Sequence, residues 1–351
     1  MNEDLYERLR VALDLLPGGF PATKSRVELE ILRRIFDPQE ARIASHMTGT
    51  RETTAAIAQR AGVSETEAET VLRQMAAKVI VWGSPRDGVW LYRLAPYVVG
   101  IYEEQWDTMD HDLAHLCEQY WLEGGAEGIM RPSPALNRVL PAQKALKREV
   151  ILPYDDIKPM ILEAKSFEVR DCICRKQQDL IGKRPCQFPL RICLNFSTAD
   201  RPASPHSITQ KEALSLLDQA EEIGLVHTVA NVAKGVTFVC NCCGCCCAVL
   251  RGVAHLGIEN SVARANYYAV VDRDQCTGCG ACERRCQVAA CKVDEVARVD
   301  LGRCIGCGLC VTGCPSDAIA LKRRPDAEVL APPDNYKSWE QQRLRQRGIK
   351  A

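Results

Sequence analysis

The chain carries no excess charge of either sign: 45 Lys and Arg balance 45 Asp and Glu over 351 residues. A protein whose main task is gripping a polyanion usually shows a basic excess, so nucleic acid is not the expected partner. No apolar run of 18 residues escapes interruption by charge or by cysteine, so no membrane span is expected. The start, MNEDLYERLR, has neither an apolar signal core nor a twin arginine, and the expected compartment is the cytoplasm. Also missing are GxGxxG after a strand, a Walker A loop, a nucleophile elbow and HExxH. Flavin, nicotinamide and nucleotide chemistry are therefore unsupported. The six histidines are scattered, and His111 and His115 read as an exposed helical pair. Cysteine is absent from the first 116 residues, yet the chain holds 20, of which only Cys117 precedes residue 172. That asymmetry predicts a nearly thiol-free module joined to a thiol-rich one. Reduced, clustered thiols in such a compartment read as metal ligands.

Apolar spacing predicts helices over Asp4–Leu16, Val27–Phe36, Pro38–His46 and Thr53–Ala61, the last ended by Gly62. Ser64, with Glu67 three residues on, gives a capping box for a helix reaching Lys78. Val79–Trp82 and Val89–Leu94 read as strands around a turn at Ser84–Gly88. Helix, turn, helix, hairpin is the winged-helix order. As a DNA reader it is poorly equipped. Glu65, Glu67 and Glu69 sit where a recognition helix presents donors, Arg73 and Lys78 are its only cations, and residues 1–150 hold 18 basic against 22 acidic side chains. Trp82, Trp90 and Tyr92 read as packing. A docking element for a partner protein is the expectation.

The remaining chain is expected to hold a mostly helical polar connector at 101–170, a thiol-rich domain at 171–264, a further thiol-rich unit at 265–324 and a flexible charged tail with a short charged helix at 325–351. Within the thiol-rich domain, Thr209 and Glu212 box the start of a helix over Gln210–Ile223 and Gly224 ends it. Strands follow at Leu225–Val229 and Val236–Cys240. In the tail, Arg343, Arg345, Arg347 and Lys350 offer a basic docking surface.

Two runs dominate the C-terminal unit: Cys276-x2-Cys279-x2-Cys282-x3-Cys286 and Cys304-x2-Cys307-x2-Cys310-x3-Cys314-Pro315. A 4Fe–4S cube needs four thiolates, and cysteine at every third position wraps three around one face. Glycines at 278, 280, 306 and 308 let the backbone turn inward. In paired runs of this kind the fourth Cys ligates the other cube. The expected ligand sets are Cys276, Cys279, Cys282 and Cys314 for one cluster, and Cys304, Cys307, Cys310 and Cys286 for the second. Zinc favours two CxxC pairs at longer separation and fits this spacing poorly. The unit resembles the two-cluster bacterial ferredoxins. It departs from them at Gln287, where proline is usual, and at Cys291, where an apolar residue is usual.

The middle thiols fall into two chain segments: Cys172, Cys174, Cys186 and Cys193, and then Cys240, Cys242, Cys243, Cys245, Cys246 and Cys247. Four readings stay open. Each segment supplies a further iron–sulfur cluster; both segments share an unusual cluster; they hold zinc or a thiolate metal store; or some form a redox dithiol. Arg170, Arg175, Lys176, Lys183, Arg184 and Arg191 flank the first segment, either to tune a cluster or simply as a solvated basic face. Cys117 reads as a buried inert thiol and Cys291 as core or spare.

Cys172–Arg175 (CICR), Cys240–Cys247 (CNCCGCCC), the Gly19–Thr23 opening and the C-terminal runs together resemble a broader group of 4Fe–4S dicluster-domain proteins of anaerobic bacteria. The resemblance implies electron transfer without an assigned reaction. The expected fold class is α+β. It comprises a winged-helix-like N-terminal domain, a Cys-rich middle and a two-cluster ferredoxin fold. The expected function is relay of electrons through two 4Fe–4S clusters and one or two more in the middle, to or from a partner oxidoreductase. A cluster-sensing winged-helix regulator and a redox enzyme subunit with a catalytic middle cluster are the alternatives.

Overall fold

The computed structural model of the protein describes residues 4–146 and 151–350; residues 1–3, 147–150 (inside the expected connector) and 351 lie outside the described residues. Helices and sheets are mixed, as in an α+β protein. The chain divides into two compact units: Met1–Ser133 with Gln177–Lys183 and Glu340–Ala351, and Pro134–Lys176 with Arg184–Trp339. The ten middle thiols and both cysteine runs thus share one unit, while Gln177–Lys183 of the thiol-rich middle belongs to the other. Among the described residues no helix is long and apolar enough to cross a membrane.

In the first unit, local signals set the helix ends. Asp4 caps Leu5–Asp14, and Asp37 with Glu40 forms a reciprocal capping box on Pro38–Ala44. Gly62 ends Thr54–Ala61 in the left-handed conformation at φ 64°. Ser64 accepts from the Glu67 amide at the start of Glu65–Ala77, but no box closes there, because Glu67 takes the Gln39 side-chain amide instead. The hairpin Val81–Arg86 and Val89–Leu94 turns more tightly than its sequence suggests. Pairing runs out to Arg86 and Val89, leaving only Asp87 and Gly88 (φ 50° and 79°) in the turn. Two residues at positive φ match the right-handed twist of the flanking strands, so the expected loop at Ser84–Gly88 zips into strand. Glu52–Thr53 pairs with the second hairpin strand to complete a three-stranded sheet. Cys117 is buried with the Tyr97 hydroxyl 3.5 Å from its sulfur, and burial pushes its pKa up to about 12.

The second unit is organised by a seven-stranded sheet. Its order is Val262–Ala263, Asn137–Leu140, Val226–Ala230, Phe238–Cys242, Arg191–Ser197, Ser166–Asp171 and Ser207–Ile208. All neighbours are antiparallel except the first pair. Two of these strands correct the reading of 101–170 as a mostly helical connector. Asn137–Leu140 is only four residues, too short for periodicity to register, and it is fully buried with Arg138 paired to Asp155 at 2.9 Å. The helix Gln210–Ile223, with the Thr209–Glu212 box and Gly224 at φ 94°, covers one face. Leu217, Ala213, Phe167, Leu194, Phe196 and Val239 form the core beneath it.

The short charged helix expected in the tail is present, but the tail is not loose. Residues Tyr336–Gln346 form a helix whose Arg343 is 0% exposed. Its guanidinium donates to the carbonyls of Pro17 (2.8 Å), Pro132 (2.8 Å) and Ile129 (2.5 Å). Burial pulls its pKa down to about 9, still above neutrality, so it bonds as a cation. Arg347 pairs with Asp14 at 2.7 Å, and Glu340 with Arg93 at 2.6 Å. Arg343 and Arg347 are therefore committed within the chain and do not form a basic docking surface. An unpartnered buried carbonyl is costly, so Arg343→Met is expected to destabilise the protein by about 2–4 kcal/mol. Urea unfolding followed by circular dichroism checks this. A loss under about 0.5 kcal/mol, the scale of an inert surface change, would show that the clamp is not structural.

Candidate metal centre

The two cysteine runs adopt matching backbones. Gly278 and Gly280 have φ of 65° and 74°, and Gly306 and Gly308 have 72° and 75°. A side chain on Gly278 would lie 2.5 Å from the Glu295 carbonyl, and one on Gly306 would lie 2.4 Å from that of Tyr267, so glycine is required for close approach as well as for conformation. Each run leads into a short helix, Ala281–Arg285 and Leu309–Thr312. The strand pairs Tyr267–Val271 with Ile319–Arg323 and Cys291–Val293 with Ala297–Val299 frame them. Cys276, Cys279, Cys282 and Cys314 together line one pocket. Backbone amides already point at sulfur: Ala297 N donates to Cys276 Sγ at 3.3 Å and Ala290 N to Cys286 Sγ at 3.1 Å. Cys307 sits near Cys286 and Cys304, and burial lifts its pKa to about 12. Cys291 is buried against both Cys286 and Cys310, making it a neighbour of the second ligand set rather than remote core.

Ten middle thiols occupy the same unit, and they group by space rather than by segment. The cause is sheet register. Leu194 faces Val239 and Asn195 faces Phe238; one step further along the same antiparallel register Cys193 meets Cys240. Alternation puts Cys240 and Cys242 on one face and Asn241 on the other. Side-chain contacts then run Cys172 to Cys174, Cys174 to Cys247, Cys247 to Cys242, Cys242 to Cys240, Cys240 to Cys193 and Cys193 back to Cys172. This closed ring takes three thiols from each segment. The other four, Cys186, Cys243, Cys245 and Cys246, have all their sulfurs within 4.8 Å of one another. The partition of residues 172–193 into one set and 240–247 into another is thus not the spatial one.

Within ring and tetrad the thiols split, Cys174, Cys193, Cys240, Cys245, Cys246 and Cys247 being pushed toward the neutral thiol by their sulfur neighbours and by burial, and three others toward the thiolate. Hydrogen bonds from Cys174 and Cys193 hold Cys172 well below the usual thiol range, and those from Cys240 and Cys247 bring Cys242 down to about 6. Bonds from Cys245 and Cys246, helped by Arg175, likewise favour the Cys243 thiolate. Of the six flanking cations, Arg175 is the one the fold turns inward. It is 0% exposed and donates to the carbonyls of Asn241 (2.7 Å) and Pro189 (3.1 Å). Burial works against its charge, but the nearby Cys172 and Cys243 more than reverse that.

Four partners were not legible as site residues. Asn241 donates its amide to the Ile192 carbonyl at 2.6 Å, which leaves its oxygen to accept from His227 Nδ1, also 2.6 Å away. The far nitrogen of His227 lies 3.3 Å from Glu221. The period of two around Asn241 could have marked it as facing away from the thiols; nothing in the sequence ties it to His227 or Glu221. Gln287 stood out only as a departure from proline. Its side chain accepts from the Gly244 amide (2.9 Å) and donates to the Gly224 carbonyl (2.8 Å), which ties the middle thiol loop to the residue after Cys286.

Residues 297–320, spanning the second run, match the family described as the 4Fe-4S binding domain. The chain contains an iron–sulfur segment. With it comes a site for at least one 4Fe–4S cluster, and the lined cavity and sulfur-directed amides fit such a group. Searches of curated proteins and of solved structures return no match.

A Cβ on Gly244 would fall 1.8 Å from the Gln287 carbonyl. Gly244→Ala must therefore push the middle loop away from the first run. The expected result is protein with less iron and sulfide per chain than wild type, measured after anaerobic purification. Wild-type loading in that variant would show that this approach does not matter to cluster retention.

Proposed function

We propose that the protein is an iron–sulfur electron carrier that passes electrons between a partner oxidoreductase and a set of clusters within its second unit. The observation that carries this reading is the repeated cysteine run, whose second copy lies in the matched segment and whose first copy lines a cavity with Cys314. Bound 4Fe–4S clusters supply one-electron chemistry at potentials set by their surroundings. Cys276, Cys279, Cys282 and Cys314 would hold one cluster, and Cys304, Cys307, Cys310 and Cys286 the second. Residues 265–324 would then form a two-cluster ferredoxin unit. The glycines that bring backbone amides toward sulfur stabilise negative charge there. Arg285 donates to the Leu309 carbonyl at 2.9 Å and to the Glu221 carbonyl at 2.7 Å, holding the first run against the second.

The six-thiol ring offers ligands for a further cluster. Soft thiolates select iron–sulfur and other thiophilic metals. A buried guanidinium beside Cys172 offsets part of the negative charge such a group brings.

The first 100 residues would serve as a winged-helix-like docking module. What supports docking over DNA reading is the fate of Arg73. It pairs with Glu69 at 2.6 Å and lies over the Trp90 ring at 4.8 Å, so the helix spends its central cation inside its own unit. Specific retention on a promoter fragment at physiological salt, lost when the clusters are oxidised, would replace the carrier with the regulator.

Iron and acid-labile sulfide, counted on anaerobic protein with EPR of the dithionite-reduced sample, test the cluster assignment. Two ferredoxin cubes account for about eight irons, and a loaded ring raises the total to about twelve or more. Cys172→Ala with Cys242→Ala is expected to remove about four irons with their matching sulfides and leave the ferredoxin signals. A count of about eight that this double variant does not change would remove the middle cluster from the proposal.

A further inference from the structure

The four thiols outside the ring have a different geometry from every other thiol set in the unit. Cys245 and Cys246 sulfurs are 3.6 Å apart, and Cys186 and Cys246 sulfurs 3.7 Å apart. All four lie within 4.8 Å of one another. A single ion bound to four sulfurs at about 2.3 Å has tetrahedral edges of about 3.7 Å. Thiolates capping the corners of a four-iron cube stand much further apart, because the cube itself separates them. The same protein displays the contrast: Cys276, Cys279, Cys282 and Cys314 line the walls of a shared pocket, whereas Cys186, Cys243, Cys245 and Cys246 bring all four sulfurs within reach of a single ion.

We propose that Cys186, Cys243, Cys245 and Cys246 form a mononuclear tetrahedral site for one divalent thiophilic ion, zinc or iron, separate from the iron–sulfur clusters. Four protein ligands close the coordination sphere, which is the arrangement of a structural rather than a substrate-binding metal. The ion staples the loop carrying Cys186 to the 243–246 turn. Without it the turn is held through Gly244 to Gln287, and the Cys186 loop through the bond from Arg175 to Pro189. Cys243 is next to the ring member Cys242, so fixing the tetrad also fixes the strand end that carries Cys240 and Cys242. Binding exchanges thiol protons for the ion and involves no electron transfer. The inference rests on the middle thiols being metal ligands, and not on the relay role.

The test is metal and sulfide stoichiometry on full-length protein purified anaerobically. Clusters contribute iron and sulfide in equal amounts. The expected result is one metal per chain without matching sulfide: one zinc, or one iron in excess of sulfide. Cys186→Ser with Cys246→Ser is expected to lose that one equivalent while cluster iron, sulfide and the reduced EPR signal persist. Loss of about four irons together with about four sulfides would overturn the site in favour of a cube. Wild-type protein with no unmatched metal would overturn it as well. Should the double variant fail to fold, X-ray absorption on wild type decides. Four sulfurs at about 2.3 Å with no metal neighbour supports the site, and a second metal in the zinc shell, or iron absorption accounted for by clusters alone, overturns it. The relay reading fails separately, if the clusters load but accept no electron from dithionite, and that outcome leaves the single ion in place.

Discussion

The antiparallel register that sets Leu194 opposite Val239 is the constraint on which the second unit depends. It brings a segment with thiols at 172–193 alongside one with thiols at 240–247, and it does so at the end of a sheet whose other positions are filled by ordinary core residues. A slip of one residue would turn Cys240 and Cys242 to the opposite face and bring Asn241 among the sulfurs. The buried bonds of Asn241 to Ile192 and His227 oppose that slip, since each would be left unpaired in a low-dielectric interior. Polar pairing on one face thus fixes the placement of sulfur on the other.

Sulfur packed against sulfur is a poor substitute for carbon packing, and thiolates without counter-charge are costly to bury. The ring and tetrad have Arg175 as an inward-facing cation, with both its terminal nitrogens bonded to carbonyls. One guanidinium could not balance ten sulfurs ionised to bind metal, so most of the counter-charge would have to come from the metal itself. Gln287 extends the arrangement to the ferredoxin-type runs. A proline there could not supply the side-chain amide that reaches both Gly244 and Gly224. The departure from the usual ferredoxin pattern and the presence of the middle loop are therefore one feature.

Much of this was legible in the chain because the signals are local. Caps at Ser64 and Thr209 and stops at Gly62 and Gly224 mark helices within a residue or two. The glycine spacing in both runs states the backbone geometry outright. What could not be read was anything that depends on which strands pair. Asn137–Leu140, bracketed by prolines, looks like loop until a seven-stranded sheet claims it. Chain adjacency grouped Cys186 with Cys172, Cys174 and Cys193, yet Arg175 bonding Pro189 turns the intervening loop so that Cys186 reaches the second segment. The tail misled for a related reason. Its charge and low hydrophobicity describe a solvated segment, while the carbonyls of Pro17, Ile129 and Pro132 give Arg343 a reason to be buried.

That last contact spans most of the chain, and it imposes an order of events during synthesis. Residues 17 and 343 meet 326 positions apart. The ribosome releases the N-terminal helices long before the helix that seals them, so the first unit must wait, with the Arg343 clamp unmade, while the entire thiol-rich unit emerges. Completion of the first unit consequently reports that the cluster-bearing part of the polypeptide has been made.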